Sequence, residues 1–243
     1  MNKRSILITG ANGGLGRAIA SAFLAESHEN RVWLGVHLQR DQAEALVGEH
    51  PQRCRCIDLD VTTRLSWDRA VAKVLAEDGR LDVLINNAGR HEDALLGAMR
   101  AESWQRVLGI NLDGVFHGCQ AVLPAMIGQR QGRIVNVASL SALVAPPGQT
   151  NYAAAKAGVV ALTQALAKEV GRLGITVNAV CPGYIETESL ADMAAEVRQA
   201  ALARIPLRRF GRPDEVAAAI RFLACEQASY ITGSVLKIDG GIL

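Results

Sequence analysis

Tyr152 and Lys156 stand four positions apart in Asn151-Tyr152-Ala153-Ala154-Ala155-Lys156. Asn151 is a good helix N-cap and the three alanines favour helix, so the spacing predicts a phenol and an ammonium one turn apart on the same face. That is equipment for moving a proton. A phenol titrates at about 10 in water and needs a strong downward shift to exchange its proton near neutrality. An ammonium about 4 Å away, at an effective dielectric near 20, contributes roughly 4 kcal/mol, about a thousandfold in acidity.

A glycine-rich turn supplies a second kind of chemistry. The segment 5–9 reads as a strand, and Thr9-Gly10-Ala11-Asn12-Gly13-Gly14-Leu15-Gly16 leads from it into a helix. Glycines there let the backbone turn tightly and approach a pyrophosphate, whose charge meets the helix N-terminus. Taken alone, such a turn is equally an ordinary strand-to-helix connection. Its place in a βα unit at the start of the chain favours a dinucleotide lying against Gly10, Asn12, Gly13, Gly14, Leu15 and Gly16. The positive charge of an oxidised nicotinamide would add to that of Lys156.

An acid at the end of the second strand would bind the adenosine ribose 2′-hydroxyl. None is there: the residues are Gly35-Val36-His37-Leu38-Gln39-Arg40. Nothing in this stretch repels a 2′-phosphate, and His37 or Arg40 could pair with one, so NADP (NADPH) is expected over NAD. The alternative is two solvated side chains and tolerance of either cofactor. Asp58-Leu59-Asp60-Val61 and Asn86-Asn87-Ala88-Gly89 each close a later strand. A short polar group followed by glycine lets a loop lie against a flat ligand. Asp60, Val61, Asn87, Ala88 and Gly89 are therefore further cofactor candidates, although either motif could be a plain strand-end turn.

The elements that must position these residues are short aliphatic runs over 5–9, 31–38, 53–59, 81–86, 133–138, 175–180 and 235–238. Segments of helical period separate them, such as the stripe Leu15, Ala18, Ile19, Ala22 and Phe23, and supply the crossovers that parallel strands need. Right-handed crossovers place helices on both faces. The pattern predicts an α/β fold: a single Rossmann-type domain over 1–243, with a doubly wound parallel sheet of seven strands and helices on both faces. Its ligand crevice would lie at the carboxyl ends of the strands. The stretch 184–213 contains no clear strand, is expected to be helical over 190–203, and reads as a substrate lid over the catalytic edge.

Composition removes several function classes. With 49% apolar and 21% charged residues in 243, the chain is globular. A net charge of +2 without a long basic block gives no reason to expect a nucleic-acid partner. Met1-Asn2-Lys3-Arg4 gives way at once to strand-like residues, and no run approaches the roughly 20 apolar residues of a membrane span, so a cytoplasmic protein without a membrane partner is expected. Cys54, Cys56, Cys119, Cys181 and Cys225 fit neither a disulfide framework nor a zinc site, and no metal is expected. Cys54 and Cys56 would share one face of a strand as small core residues.

The ordered set of glycine turn, Asn86-Asn87-Ala88-Gly89, Asn111, Ser139, Tyr152 with Lys156, and Pro182-Gly183 resembles the short-chain dehydrogenase/reductase family, from Thr9 to Gly241. The resemblance implies that Ser139 hydrogen-bonds a carbonyl oxygen, Tyr152 exchanges the proton, and Lys156 holds the ribose and lowers the tyrosine's pKa. Asn111, in Gly109-Ile110-Asn111-Leu112-Asp113, would anchor a water in the proton relay. The 13-residue interval to the tyrosine picks Ser139 over Ser141. Tyr152, Lys156, Pro182, Gly183, Ile185 and Thr187 are implied to touch the cofactor.

Stretches 151–158, 174–180, 182–187 and 230–233 are similar to the 3-oxoacyl-(acyl-carrier-protein) reductases of bacterial fatty acid synthesis. That branch docks its acidic carrier through arginines beside the cleft. Arg130 matches one, and Arg172 stands one place from the other, where Leu173 falls. The implied activity is NADPH-dependent reduction of a 3-oxoacyl thioester on an acyl-carrier protein, for fatty acid or related acyl or polyene chains. The implied assembly is a homotetramer that pairs the long helices flanking the fifth strand and packs the C-terminal strands together. Where the branch carries small or apolar residues, this chain has Arg90-His91-Glu92, which could tune substrate choice or form a solvated loop. His91 is not needed for the proton. Two other readings stay open: a reductase of another secondary alcohol or ketone, such as a sugar or steroid, and a non-catalytic cofactor-binding scaffold, against which the intact Tyr152–Lys156 pair argues.

Overall fold

The computed structural model describes residues 3–190 and 193–243. The chain alternates strand and helix: β1 (Ser5–Thr9), α1 (Gly14–Glu26), β2 (Arg31–Val36), α2 (Asp41–Glu49), β3 (Cys54–Asp58), α3 (Arg64–Asp78) and β4 (Val83–Asn86). The second half runs through α4 (Ala101–Leu108), a π turn (Gly109–Asp113), α5 (Gly114–Gln129), β5 (Gly132–Val137), α6 (Ser141–Val144), α7 (Thr150–Val170) and β6 (Ile175–Pro182). It ends with α8 (Ala195–Arg204), α9 (Pro213–Leu223) and β7 (Val235–Ile238). All neighbouring strands pair in parallel, in the order β3-β2-β1-β4-β5-β6-β7. The order reverses between β1 and β4, and that switch point is where an open α/β sheet forms its crevice.

Alternation along each strand divides the core in two. Leu7, Leu84 and Ile134 face α3, α5 and α7 with Trp67, Val122 and Met126. Ile6, Ile8, Val83 and Ile85 face α1, α2 and α9 with Ile19, Phe23 and Ile220. Burial on both faces is why the strands read as continuous aliphatic runs. Cys54 and Cys56 share the second face, and all five cysteines are free thiols. No helix among the described residues is long and apolar enough to cross a membrane.

The structure moves several ends. β2 stops at Val36, whose carbonyl accepts the Leu59 amide, rather than reaching Leu38. β6 continues to Pro182 because β7 pairs with it as far as Ile238. Asn151 is not the N-cap of α7: Thr150 is already helical and Gln149 takes the cap position. The Asn151 side chain instead accepts from the Tyr152 amide (2.7 Å) and donates to Glu92 O (3.0 Å), tying the catalytic helix to the loop after β4. The segment 184–213 carries α8 and a small apolar cluster of its own, with Tyr184 stacked on Phe210 at 5.7 Å.

Candidate active site

Gly10 turns with φ 63°, a conformation that favours glycine, and a Cβ there would lie 2.8 Å from Ala88 Cα. A Cβ on Gly16 would lie 2.5 Å from Gly10 O. The turn is thus closed by absence of side chains, and the loop after β4 locks onto it. Thr9 Oγ1 accepts the amides of Asn87 and Ala88 (2.9 Å each), and Asn87 Nδ2 donates to Thr9 O (2.9 Å) and Gly10 O (3.2 Å). At the start of α1 the Gly14 amide donates to a carboxylate oxygen of Glu188 (3.2 Å), and Arg17 pairs with the same carboxylate. An anion therefore already sits at this helix N-terminus, and the turn fits a dinucleotide pyrophosphate in the same place. Nothing in the sequence pattern near Glu188, 174 residues from Gly14, announces the contact.

The carboxyl ends of β1, β4, β5 and β6 border a cleft of about 600 Å³. Gly10, Gly13, Gly14, Leu15 and Gly16 line it, as do Asn87, Ala88, Gly89, Ser139, Tyr152, Lys156, Pro182, Gly183, Ile185 and Thr187. Lys156 is buried, donates to Val137 O (2.8 Å), and lies 5.6 Å from the centre of the Tyr152 ring. The Ser139 hydroxyl lies near enough to the phenol to favour its ionised form. Gly89 makes room for this group: a Cβ would lie 2.9 Å from Asn111 Oδ1 and 3.4 Å from Lys156 Nζ.

One expectation about this cluster is corrected. Burial pushes the Tyr152 phenol above its ordinary value and outweighs the Ser139 hydroxyl that pulls it down. Burial also lowers Lys156 to about 8. The ammonium does not acidify the phenol in the chain by itself, because desolvation opposes both charges and the lysine is aimed at a carbonyl. Asn111, fully buried in the π turn, has its side chain committed: Nδ2 donates to Arg90 O (2.6 Å) and Val107 O (2.8 Å), and Oδ1 accepts the Arg90 amide (3.3 Å).

The adenosine end is a separate space of about 390 Å³, lined by Asn12, Val36, His37 and Gln39 among others. Arg40 is exposed but paired with Asp58 and, at 3.9 Å, with Glu44. The register Val36↔Asp58 brings this acid beside the end of β2, so the sequence missed an acid contributed by the neighbouring strand. Asp60 and Val61 line neither space. Asp60 accepts the amide and hydroxyl of Thr62 (2.9 and 2.7 Å), and Val61 is buried under Gly114.

Arg130 and Arg172 are exposed and do not line the cleft of their own chain. They precede β5 and β6, at the amino edge of the sheet. Tyr152 and Arg172 stand 20 positions apart along α7 and the turn that ends it, about 30 Å. His91 does border the cleft, edge-on to Tyr152 with ring centres 6.1 Å apart.

Residues 10–243 match a family model described as enoyl-(acyl carrier protein) reductase. The 3-oxoacyl-(acyl-carrier-protein) reductase of Thermotoga maritima is 45% identical over 98% of this chain and 96% of its own length. The protein of the same name from Escherichia coli is 39% identical over 97% and 96%. Nodulation protein G of Azospirillum brasilense is 39% identical over 100% and 99%.

Proposed function

The chain belongs to the short-chain dehydrogenase/reductase family, and from that premise we propose that it reduces a 3-oxoacyl thioester, carried on an acyl-carrier protein, to the 3-hydroxyacyl form. The observation that carries this is the meeting of the Ser139 and Tyr152 hydroxyls over buried Lys156, in a cleft that opens onto the glycine turn. The nicotinamide cofactor, when bound, supplies the hydride. Ser139 and Tyr152 hold the carbonyl oxygen, and Tyr152 gives it the proton. A phenol held above its ordinary pKa is fully protonated at neutrality and therefore loaded to donate, which suits reduction. Lys156 would hold the ribose, and the π turn at Asn111 a relay water. NADPH is favoured because His37 and Arg40 are exposed at the adenosine end, Arg40 exchanging Asp58 for the 2′-phosphate.

The segment 184–213 acts as the substrate lid of a single domain over 1–243. The protein works in the cytoplasm as a homotetramer that pairs α5 and α7 and buries β7, whose residues Leu236 and Lys237 are exposed in the single chain. Arg130 and Arg172 then serve the cleft of a neighbouring subunit. Charge reversal at both should lower activity on carrier-bound substrate but not on a short thioester; equal activity on the two would count against docking there.

The match to a family described as enoyl-(acyl carrier protein) reductase favours a second reading, reduction of an enoyl thioester. Two hydroxyls converging on one oxygen favour the ketone. NADPH oxidation measured with acetoacetyl thioester, crotonyl thioester and simple ketones separates them. Turnover of the first alone supports the proposal, and turnover of crotonyl thioester alone replaces it. Tyr152→Phe should lower turnover by about 10²- to 10⁴-fold while dinucleotide binding persists.

A further inference from the structure

The loop after Gly89 places a second polar group beside the reaction centre. His91 Nδ1 lies 3.1 Å from Asp93 Oδ1. Asp93 is itself held: its Oδ2 accepts from Gln149 Nε2 (2.9 Å), and the Ala94 amide donates to Gly148 O (2.9 Å). Gln149 Oε1 in turn accepts the Ser141 hydroxyl (2.8 Å), and the Ser141 amide donates to Ser139 Oγ (3.1 Å). A continuous chain of hydrogen bonds thus runs from the serine that meets the phenol to the imidazole, and fixes the ring that stands edge-on to Tyr152. Among the described residues Nε2 has no partner, and the side chain borders the cleft. A histidine serving only as a solvated loop residue would need none of this anchoring.

We infer that His91 is a specificity-determining residue, whose Nε2 binds the thioester carbonyl oxygen of a 3-oxoacyl substrate while Ser139 and Tyr152 hold the 3-oxo oxygen. The inference rests on the function proposed above and names what distinguishes that substrate from a plain ketone. The two oxygens of a 3-oxoacyl thioester are offset by one methylene. That offset lets one chain present an oxygen to each of two neighbouring groups, the Tyr152 phenol and the His91 imidazole, whose ring centres lie 6.1 Å apart. Nε2, when it carries a proton, donates to a carbonyl oxygen. Asp93 and Gln149 are positioning residues that act through the imidazole.

The test compares acetoacetyl N-acetylcysteamine thioester with a monoketone of similar size, both with NADPH, in the wild type, His91→Ala and His91→Gln. The ratio of kcat/KM for thioester over monoketone should fall by roughly 2- to 10-fold in His91→Ala, the range expected for one lost hydrogen bond. The loss should fall mainly on KM, and His91→Gln, which keeps a neutral amide donor, should recover part of it. A purely structural role would move both substrates together and leave the ratio unchanged, overturning the inference. If the wild type itself prefers the monoketone, the proposed function fails and the inference with it. If the wild type prefers the thioester and His91→Ala keeps that preference, the inference fails alone.

Discussion

Replacing Lys156 by methionine isolates what burial of the ammonium does to the fold. The side chain is 2% exposed, and burial draws its pKa from 10.5 to about 8. At ~1.4 kcal/mol per tenfold in proton affinity, that depression amounts to about 3 kcal/mol against the charged form in the native state. Between pH 8 and 10.5 the unfolded chain keeps the proton that the native chain has released, so stability rises with pH across this window. Below it the full penalty is present, and above 10.5 it is gone. Methionine keeps the apolar stem and carries no charge. It leaves Val137 O, now bonded at 2.8 Å, without its partner, which costs about 1 to 3 kcal/mol. The two effects nearly offset at pH 7, so the variant should be between unchanged and about 2 kcal/mol more stable there, although inactive. The carbonyl loss does not titrate. From pH 7 to 10 the wild type should therefore gain about 2 to 3 kcal/mol on the variant. Urea unfolding of both proteins at pH 7, 8, 9 and 10 reads the difference directly, other titrating groups cancelling. A difference that stays flat over that range would refute the reasoning, as would a variant more than about 3 kcal/mol less stable at pH 7.

Glu188→Gln removes the charge that the lid places on the Gly14 amide and its ion pair with Arg17. NADPH binding, followed by fluorescence titration, should tighten about 2- to 5-fold, an exposed charge being worth up to about 1 kcal/mol at a helix start; unchanged or weaker binding would contradict competition at that site. Gly16→Ala drives a methyl against two backbone atoms, Gly10 O at 2.5 Å and Ala11 Cα at 2.7 Å, neither of which can swing aside. Thermal unfolding should show at least about 1 to 3 kcal/mol of lost stability, with loss of the shift caused by NADPH; wild-type affinity would show that the turn tolerates a side chain. Arg40→Ala should lower the NADPH over NADH ratio of kcat/KM by about tenfold and Asp58→Asn should raise it; if neither ratio moves, the 2′-phosphate is not recognised there.

Legibility followed the range of the interactions involved. β1, β4 and β5 could be read because both faces are buried and the aliphatic run is continuous. β1 kept both ends, whereas β2, β4 and β5 shifted by one or two residues at an end, β2 stopping at Val36, whose carbonyl accepts the Leu59 amide. The glycine turn, Gly89 and the Tyr152–Lys156 turn are local patterns, and they assembled in one cleft. The partners that re-define them are distant in sequence. Asp58 reaches Arg40 through the β2–β3 register, and Glu188 reaches Gly14 from the lid. Arg172 shows the same limit: a motif gives its identity, but only the length of α7 sends it to the opposite edge of the sheet.

The two corrected ionisation shifts bear on the direction of the reaction. A cleft that raises Tyr152 and lowers Lys156 favours the uncharged form of each, so the resting chain holds a protonated phenol and disfavours a phenolate. Oxidation of an alcohol would need that phenolate before hydride leaves the substrate. Reduction needs it only afterwards, when the proton has passed to the new alcohol, and an oxidised nicotinamide, when bound, would supply a positive charge that favours the anion. Lys156, close to half-charged near pH 8, can then regain full charge as the phenol loses its own proton. Desolvation that looks adverse to an acid–base pair thus separates the two directions: it keeps the donor loaded, and it delays the phenolate until a neighbouring positive charge can stabilise it.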